Sequence, residues 1–341
     1  MPPRAWPGCR ETAHEGGSPC YSSRLPRIGA VSASHPTAQR APAEIAAPTL
    51  ADEPLRGILL VAAAMALFAV SDAVSKHLSA ALPATEIAWL RWVGFAAIMA
   101  PFVLRAPRRI LRSRAPWLQV LRTLGLLGSA LFFIAGLRYL PLASASAIAF
   151  AAPLMVTALS IPLLGEKVGA RRWAAVAVGL VGVLVVIRPG SGTFGPAALL
   201  PLLSAVSWAF GMIVTRKLGG LDAAPTTMAY SALVGLAVLT LLVPVGWTTP
   251  TLPQIGLAAG MALASTAAQF LVVTAYRLGR ASVLAPVSYS QLVWSGLLGF
   301  LVFGNVPDAW TLLGAAIIIA SGLYTAHRER IAYRTRRAET G

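Results

Sequence analysis

Apolar residues run through this chain in stretches of membrane length with few charges, broken by short polar connectors. Ten such stretches can be marked: 56–79, 85–104, 117–137, 142–164 and 172–187, then 194–215, 225–245, 255–276, 281–303 and 309–326. A run of roughly 20 residues crosses the hydrocarbon core at 1.5 Å per residue. The core offers no water to backbone groups, so each run predicts a helix that satisfies its own hydrogen bonds. Alternating segments of about ten residues, the signature of a membrane barrel, are not seen.

The runs repeat. Gly136–Arg188 and Thr274–Ala326 follow the same order of features. Each begins at a polar break with an aromatic and an Arg (Leu137-Arg138-Tyr139; Ala275-Tyr276-Arg277). A Ser/Ala-rich run follows and stops at Gly165-Glu166 or Gly304-Asn305, and a Trp (Trp173; Trp310) opens the next helix. The first spans of the halves also match, Leu67-Phe68-Ala69 through Lys76 against Trp208-Ala209-Phe210 through Lys217. Five spans per half is an odd number, so the second half enters the membrane from the opposite side. The expectation is an all-α integral membrane protein of ten transmembrane helices in two inverted five-helix repeats.

Composition agrees with the pattern, at 57% hydrophobic, 12% charged and a mean hydropathy of +0.71. The formal charge of +16 is a topology signal, because alternate connectors hold it. Arg105, Arg108, Arg109, Arg112 and Arg114, then Lys167, Arg171 and Arg172, then Arg216 and Lys217, then Arg277 and Arg280 fall on one side, with the basic C-terminal tail. The other side has only Lys76, Arg138 and Arg188. This predicts a multi-pass protein of the cytoplasmic (inner) membrane with both termini cytoplasmic, and it argues against nucleic-acid binding. Cys9 and Cys20 both lie near the N-terminus and the four histidines have no ligand spacing, so neither a disulfide framework, a metal site nor a cofactor is expected. Residues 1–54 are rich in Pro, Ala, Ser and Gly and read as a disordered tail or an over-extended start. Residues 55–188 form the first repeat, 189–326 the second, and 327–341 a basic tail.

Small residues one turn apart, at Gly256/Gly260, Ala143/Ala147/Ala151 and Ala281/Ala285, predict close helix crossings. Pro101, Pro153, Pro201 and Pro286 are candidate kinks. Asp72, Ser75, Lys76 and Ser79 share one face of the first span. Asp72 lies deep in an apolar run, where a charge facing lipid is costly, so it should face the bundle with a partner. Lys76 and Arg91 are the two candidates. The pair is either structural or part of a site that holds a substrate charge or a proton. Arg122, near a span end, reads as reaching for the headgroups. Polar faces on other spans (Trp208 with Ser204 and Ser207; Gln269 and Tyr276 with Ser265; Gln291 with Ser288 and Ser295; Ser146 with Thr157 and Ser160) point to a shared wet cavity, with Tyr289 and Trp294 as aromatic walls.

The five-plus-five layout, the segment 137–144 ahead of the fourth span, Leu163-Leu164-Gly165-Glu166-Lys167 after it, and Ala281-Ser282-Val283-Leu284-Ala285-Pro286 in the second half resemble the drug/metabolite transporter superfamily, in its EamA-type members. Asn305 departs from the symmetry, since the first repeat has Glu166 there. The resemblance implies a ten-helix transporter whose central cavity lies among the third, fourth, eighth and ninth spans, with help from the first and sixth. Asp72 with Lys76, Glu86 and Arg91 is similar to carriers of metabolites such as riboflavin or S-adenosylmethionine.

The function expected is secondary transport of a small polar metabolite (amino acid, vitamin, purine or nucleotide-like compound) by alternating access. No Gly-x-x-x-x-Gly-Lys-Ser/Thr sequence supports ATP coupling. Proton coupling would need a titratable group, for which Asp72 is the candidate; a facilitator is the alternative. Monomer and homodimer both fit. The competing class is an integral-membrane enzyme acting on a lipid or polyprenyl substrate, but clustered acids or histidines for that chemistry are missing from the spans.

Overall fold

The computed structural model describes residues 54–165, 170–189, 195–218, 221–278, 284 and 286–340. The expected tail over 1–53, Glu166 and Lys167, and Ala281–Val283 lie outside them, as do the side chains of Tyr276 and of Arg328 onwards.

The described residues are helical, without strands among them. The helices are α1 (Pro54–Leu78), α2 (Ala84–Arg105), the short α3 (Pro107–Ile110), α4 (Pro116–Leu137), α5 (Leu142–Ala149), α6 (Ala152–Leu164) and α7 (Ala170–Ile187). A 3₁₀ turn, Gly195–Ala198, leads into α8 (Leu199–Lys217), followed by α9 (Ala224–Leu242), α10 (Leu252–Leu278), α11 (Ser290–Phe303) and α12 (Ala309–Thr340). Among the described residues seven segments are long and apolar enough to span a bilayer, with α5 and α6 counted as one. Three shorter apolar helices, Trp173–Ile187, Ser290–Phe303 and Ala309–Thr325, accompany them. The chain is a multi-pass membrane protein.

Proline and glycine set the punctuation. Pro107, Pro116 and Pro225 open helices, where the missing N–H would have had no partner. Pro201 sits in the first turn of α8 and causes no break there. Pro153 has a larger effect. It removes a donor from the fourth run, and the chain tightens there into i→i−3 bonds, Ala151 N–H to Ile148 O (3.0 Å) and Leu154 N–H to Ala151 O (2.9 Å). The run is thereby split into α5 and α6. A similar tightening follows Pro286, with Gln291 N–H on Ser288 O (3.2 Å) and Leu292 N–H on Tyr289 O (3.0 Å). Gly165 and Gly304 end α6 and α11 at φ of 68° and 66°, a left-handed cap that a Cβ disfavours.

Packing follows a regular plan. α1 packs on α10 as α8 packs on α4; α11 packs on α1 as α6 packs on α8; α2 meets α10 as α9 meets α4. The remaining main pairs are α2 with α9 and α7 with α12. α7 and α12 run antiparallel: Arg188 is ion-paired with Asp308, Gly182 meets Gly314, and Ser321 Oγ donates to Ala175 O. α2 and α9 are antiparallel too, with Trp92 Nε1 donating to Ser231 O (3.0 Å) and Trp89 Nε1 to Thr240 Oγ1 (3.0 Å).

Two close crossings pair glycine with glycine, Gly125 on Gly211 and Gly182 on Gly314, where a Cβ would strike backbone of the facing helix. Gly256 and Gly260, expected to make such a crossing, have nothing within 4 Å. α10 turns Ala258, Met261, Ala268 and Ala275 inward instead, which puts those two glycines on the outer face. Arg122 also departs from expectation. It donates from Nε to Thr215 Oγ1 (2.9 Å) and from Nη1 to Ser231 Oγ (2.6 Å), clamping α4 to α8 and α9 rather than reaching outward.

The two ends of the bundle differ. At one end, the connectors near Ala80, Arg138, Arg188, Trp247 and Val306 come together through Lys76, Glu86 and Asp308. At the opposite end Asp222 ties connector to connector, accepting from Ser113 Oγ, from the Arg114 N–H (2.9 Å) and from Gln119 Nε2 (2.8 Å).

Candidate functional site

Asp72 is 7% exposed on α1. It lies six residues before Leu78, so about 9 Å inside that end of the helix. Gln291 Nε2, near the start of α11, donates to its Oδ2 at 3.0 Å. Arg91 on α2, half-buried, interacts with Asp72 through its charge, without a direct hydrogen bond among the described residues. Three helices from both halves of the chain thus converge on one carboxylate. Ser71 Oγ and Ser290 Oγ, on the residues that precede Asp72 and Gln291 in the chain, are buried with no hydrogen-bond partner. Each is a polar group held ready in an apolar setting, where an unmet hydroxyl costs about 1–3 kcal/mol.

Of the two partners considered for Asp72, neither Arg91 nor Lys76 makes a direct hydrogen bond or ion pair to it among the described residues. Lys76, one turn further along α1, turns elsewhere. Its Nζ donates to Leu137 O (2.9 Å) and Leu140 O (2.7 Å), at the turn between α4 and α5, and stands 5.5 Å from the centroid of the Phe303 ring. These two carbonyls belong to a helix C-terminus and the turn after it, where a cation is favoured. Lys76 also lines a cavity of about 410 Å³, with His77, Ser79, Arg138, Gln254 and Phe303.

Tyr289 stacks on Phe150, ring centroids 5.5 Å apart and planes at 41°, and its hydroxyl lies against Gly322 of α12. Both aromatics sit where a helix is broken after or before proline, and the interval between them is the same as that from Gly165 to Gly304. They are equivalent positions of the repeat, in contact with each other. Trp208 is exposed on α8, on a face roughly opposite the exposed Leu203 and Val206. Gln269 is exposed on the same stripe of α10 as the buried Ala262 and Ser265. Trp294 shares the exposed stripe of α11 with Leu297 and Leu301 and is not brought to Asp72. The Tyr276 side chain lies outside the described residues.

The residues that sequence reasoning passed over are Phe150, Phe303, Ser71 and Ser290. The repeat offset applied to Tyr289 points to Phe150. Nothing in the sequence singles out the other three, because their roles rest on contacts between distant helices. Among the described residues no group of three His, Cys, Asp or Glu side chains could hold a metal.

A multi-pass bundle whose buried polar residues converge from both halves of the chain has the build of a membrane transporter. Comparison with known proteins agrees. The EamA-like transporter family matches residues 55–188 and again 195–325, and the chain belongs to that family. It is 30% identical to an S-adenosylmethionine uptake transporter of Rickettsia bellii over 260 residues, covering 76% of this chain and 89% of that one. It is 31% identical to a riboflavin transporter of Rhizobium johnstonii, covering 82% and 95%. A pseudopaline exporter of Pseudomonas aeruginosa is 29% identical, covering 78% and 94%. One solved crystal structure shares the fold at a TM-score of 0.57 and 21% identity, over 81% of this chain and 98% of the other. The protein is a transporter of small metabolites.

Proposed function

We propose that this transporter works by alternating access around Asp72, Gln291 and Arg91, within ten spans arranged as two inverted five-helix repeats. The observation that carries the reading is the hydrogen bond between Asp72 and Gln291, made inside the membrane between the two matched halves. Exchanging the halves, α1 for α8, α2 for α9, α4 for α10, α6 for α11 and α7 for α12, leaves the list of main helix pairs unchanged. The antiparallel run of α2 against α9 and of α7 against α12 supports an inverted relation, since helices exchanged by a two-fold axis in the membrane plane point opposite ways. The 3₁₀-like breaks beside Pro153 and Pro286 supply places where each half can bend. We place both termini in the cytoplasm and the protein in the inner membrane, because the end tied by Asp222 also carries Arg105, Arg108, Arg109, Arg112, Arg114, Arg216 and Lys217.

The substrate is a small polar metabolite of the range its relatives carry, an amino acid, vitamin, purine or nucleotide-like compound. Gln291 and Arg91 hold Asp72 in place, while Ser71 and Ser290 have hydrogen-bonding capacity to offer. Trp208, Gln269 and Tyr289 line the path, and Phe150 with Tyr289 closes it between openings. Asp72 is the group through which a proton would be coupled. An enzyme acting on a lipid is the lesser reading, since both halves match a transporter family.

Purified protein in proteoliposomes, screened with S-adenosylmethionine, riboflavin and amino acids, tests the reading. Uptake by the wild type, lost in Asp72→Asn and Arg91→Ala at equal reconstitution, is expected. Full transport by either variant removes that residue from the site. An imposed pH gradient driving solute uphill tests the coupling, and mass photometry in detergent tests for a homodimer.

A further inference from the structure

We propose that the cavity of about 410 Å³ at the Leu78, Leu137 and Phe303 end is a capture mouth for anionic solutes, those carrying a carboxylate or phosphate. This rests on the transport reading above and narrows its substrate class. The cavity is lined by Lys76, His77 and Arg138, with Ser79 and Gln254 as further polar groups, and by no Asp or Glu. Topology does not account for this. The connectors at this end hold only three Lys or Arg residues, Lys76, Arg138 and Arg188, and two of the three line one cavity.

Neither Glu86 nor Asp308, the carboxylates of the connectors at this end, lines the cavity. Glu86 is buried and accepts from the Thr248 N–H at 3.1 Å, and Asp308 is ion-paired with Arg188. Lys76 and Arg138 have no ion-pair partner among the described residues. Lys76 donates to Leu137 O and Leu140 O, so two of its three ammonium donors are committed and one remains. Arg138 is exposed at the rim with a guanidinium fork suited to a carboxylate or phosphate. A cleft of one sign with apolar walls, here Leu78, Leu137 and Phe303, focuses its field and concentrates counter-charged solute at the mouth.

The test uses the full-length protein in phosphatidylcholine nanodiscs, with citrate and choline as probes in calorimetry. Citrate is expected to bind more tightly than choline, and to weaken about tenfold between low salt and about 500 mM KCl. Arg138→Gln should weaken citrate about fivefold, and Arg138→Glu should reverse the preference towards choline. Equal or tighter binding of choline by the wild type, or citrate binding untouched by both variants, overturns the capture site. So does loss of citrate binding in phosphatidylglycerol nanodiscs, which assigns the cavity to a lipid headgroup. Proteoliposomes that move solutes while preferring cations leave the transport reading intact and overturn this one. Citrate binding by a protein that moves no solute overturns the transport reading, and the capture role with it.

Discussion

Replacing Gly314 by alanine adds one methyl group where α12 crosses α7. That Cβ would stand 2.6 Å from the carbonyl oxygen of Gly182, and a Cβ on Gly182 would stand 3.0 Å from that of Gly314. Unstrained carbon–oxygen contacts lie at about 3.3 Å or more, so the helices must part by about 0.7 Å. Backbone is met on both sides, so no flexible side-chain end can yield. Overpacking of this kind costs about 1–3 kcal/mol, and the helix propensity of alanine over glycine offsets up to about 1 kcal/mol. The net loss is about 1–2 kcal/mol, a fall in Tm of about 1–3 °C for a chain of this size. Gly256→Ala and Gly260→Ala are the matched controls, because nothing lies within 4 Å of either position. There only the propensity gain operates, and Tm should hold or rise by about 1 °C. All three are measured by thermal unfolding of purified protein in one detergent. Equal shifts for Gly314→Ala and the two controls would refute the crossing as the reason for glycine.

Gln291→Leu removes the hydrogen bond to Asp72 while keeping the volume. Transport should fall at least tenfold at equal reconstitution, and unchanged KM and rate would detach Gln291 from the site. Arg122→Met should lower stability by about 1.5–3 kcal/mol through its bonds to Thr215 and Ser231; a change within about 0.5 kcal/mol would mean the side chain reaches the headgroups after all. Asp222 lies in a connector outside the spans. Burial there opposes its ionised form, but hydrogen bonds from Ser113, the Arg114 N–H and Gln119, with the Arg114 charge, outweigh burial and hold the carboxyl below its ordinary range. A carboxylate with a lower pKa folded than unfolded stabilises fully above the unfolded value, about 3.9, and loses that contribution as pH falls through the folded one. Thermal stability should therefore drop below about pH 4, and Asp222→Asn should flatten that fall; an unchanged slope sinks the assignment.

The sequence by itself determined the class, the helical build and the doubled family match. Apolar runs of about 20 residues are too long for barrel strands and satisfy their backbone in lipid as helices, so the helices could be read without knowing their neighbours. The left-handed caps at Gly165 and Gly304 were marked by residues whose conformational freedom is a local property. It also drew attention to Asp72 and Arg91, because an ionisable residue deep in an apolar run is costly wherever it points. Partner choice was different. That Lys76 turns to the Leu137 and Leu140 carbonyls, that Gln291 donates to Asp72 and that Phe150 meets Tyr289 depend on how helices distant in the chain are rotated against one another. The glycine crossings make the same point. Gly256 and Gly260 have the spacing of a packing face and sit on the outside, while Gly182 and Gly314, far apart in the chain, touch. Helix formation in lipid is decided by each segment's own backbone, and helix rotation by shape matching between segments, which one-dimensional spacing does not encode.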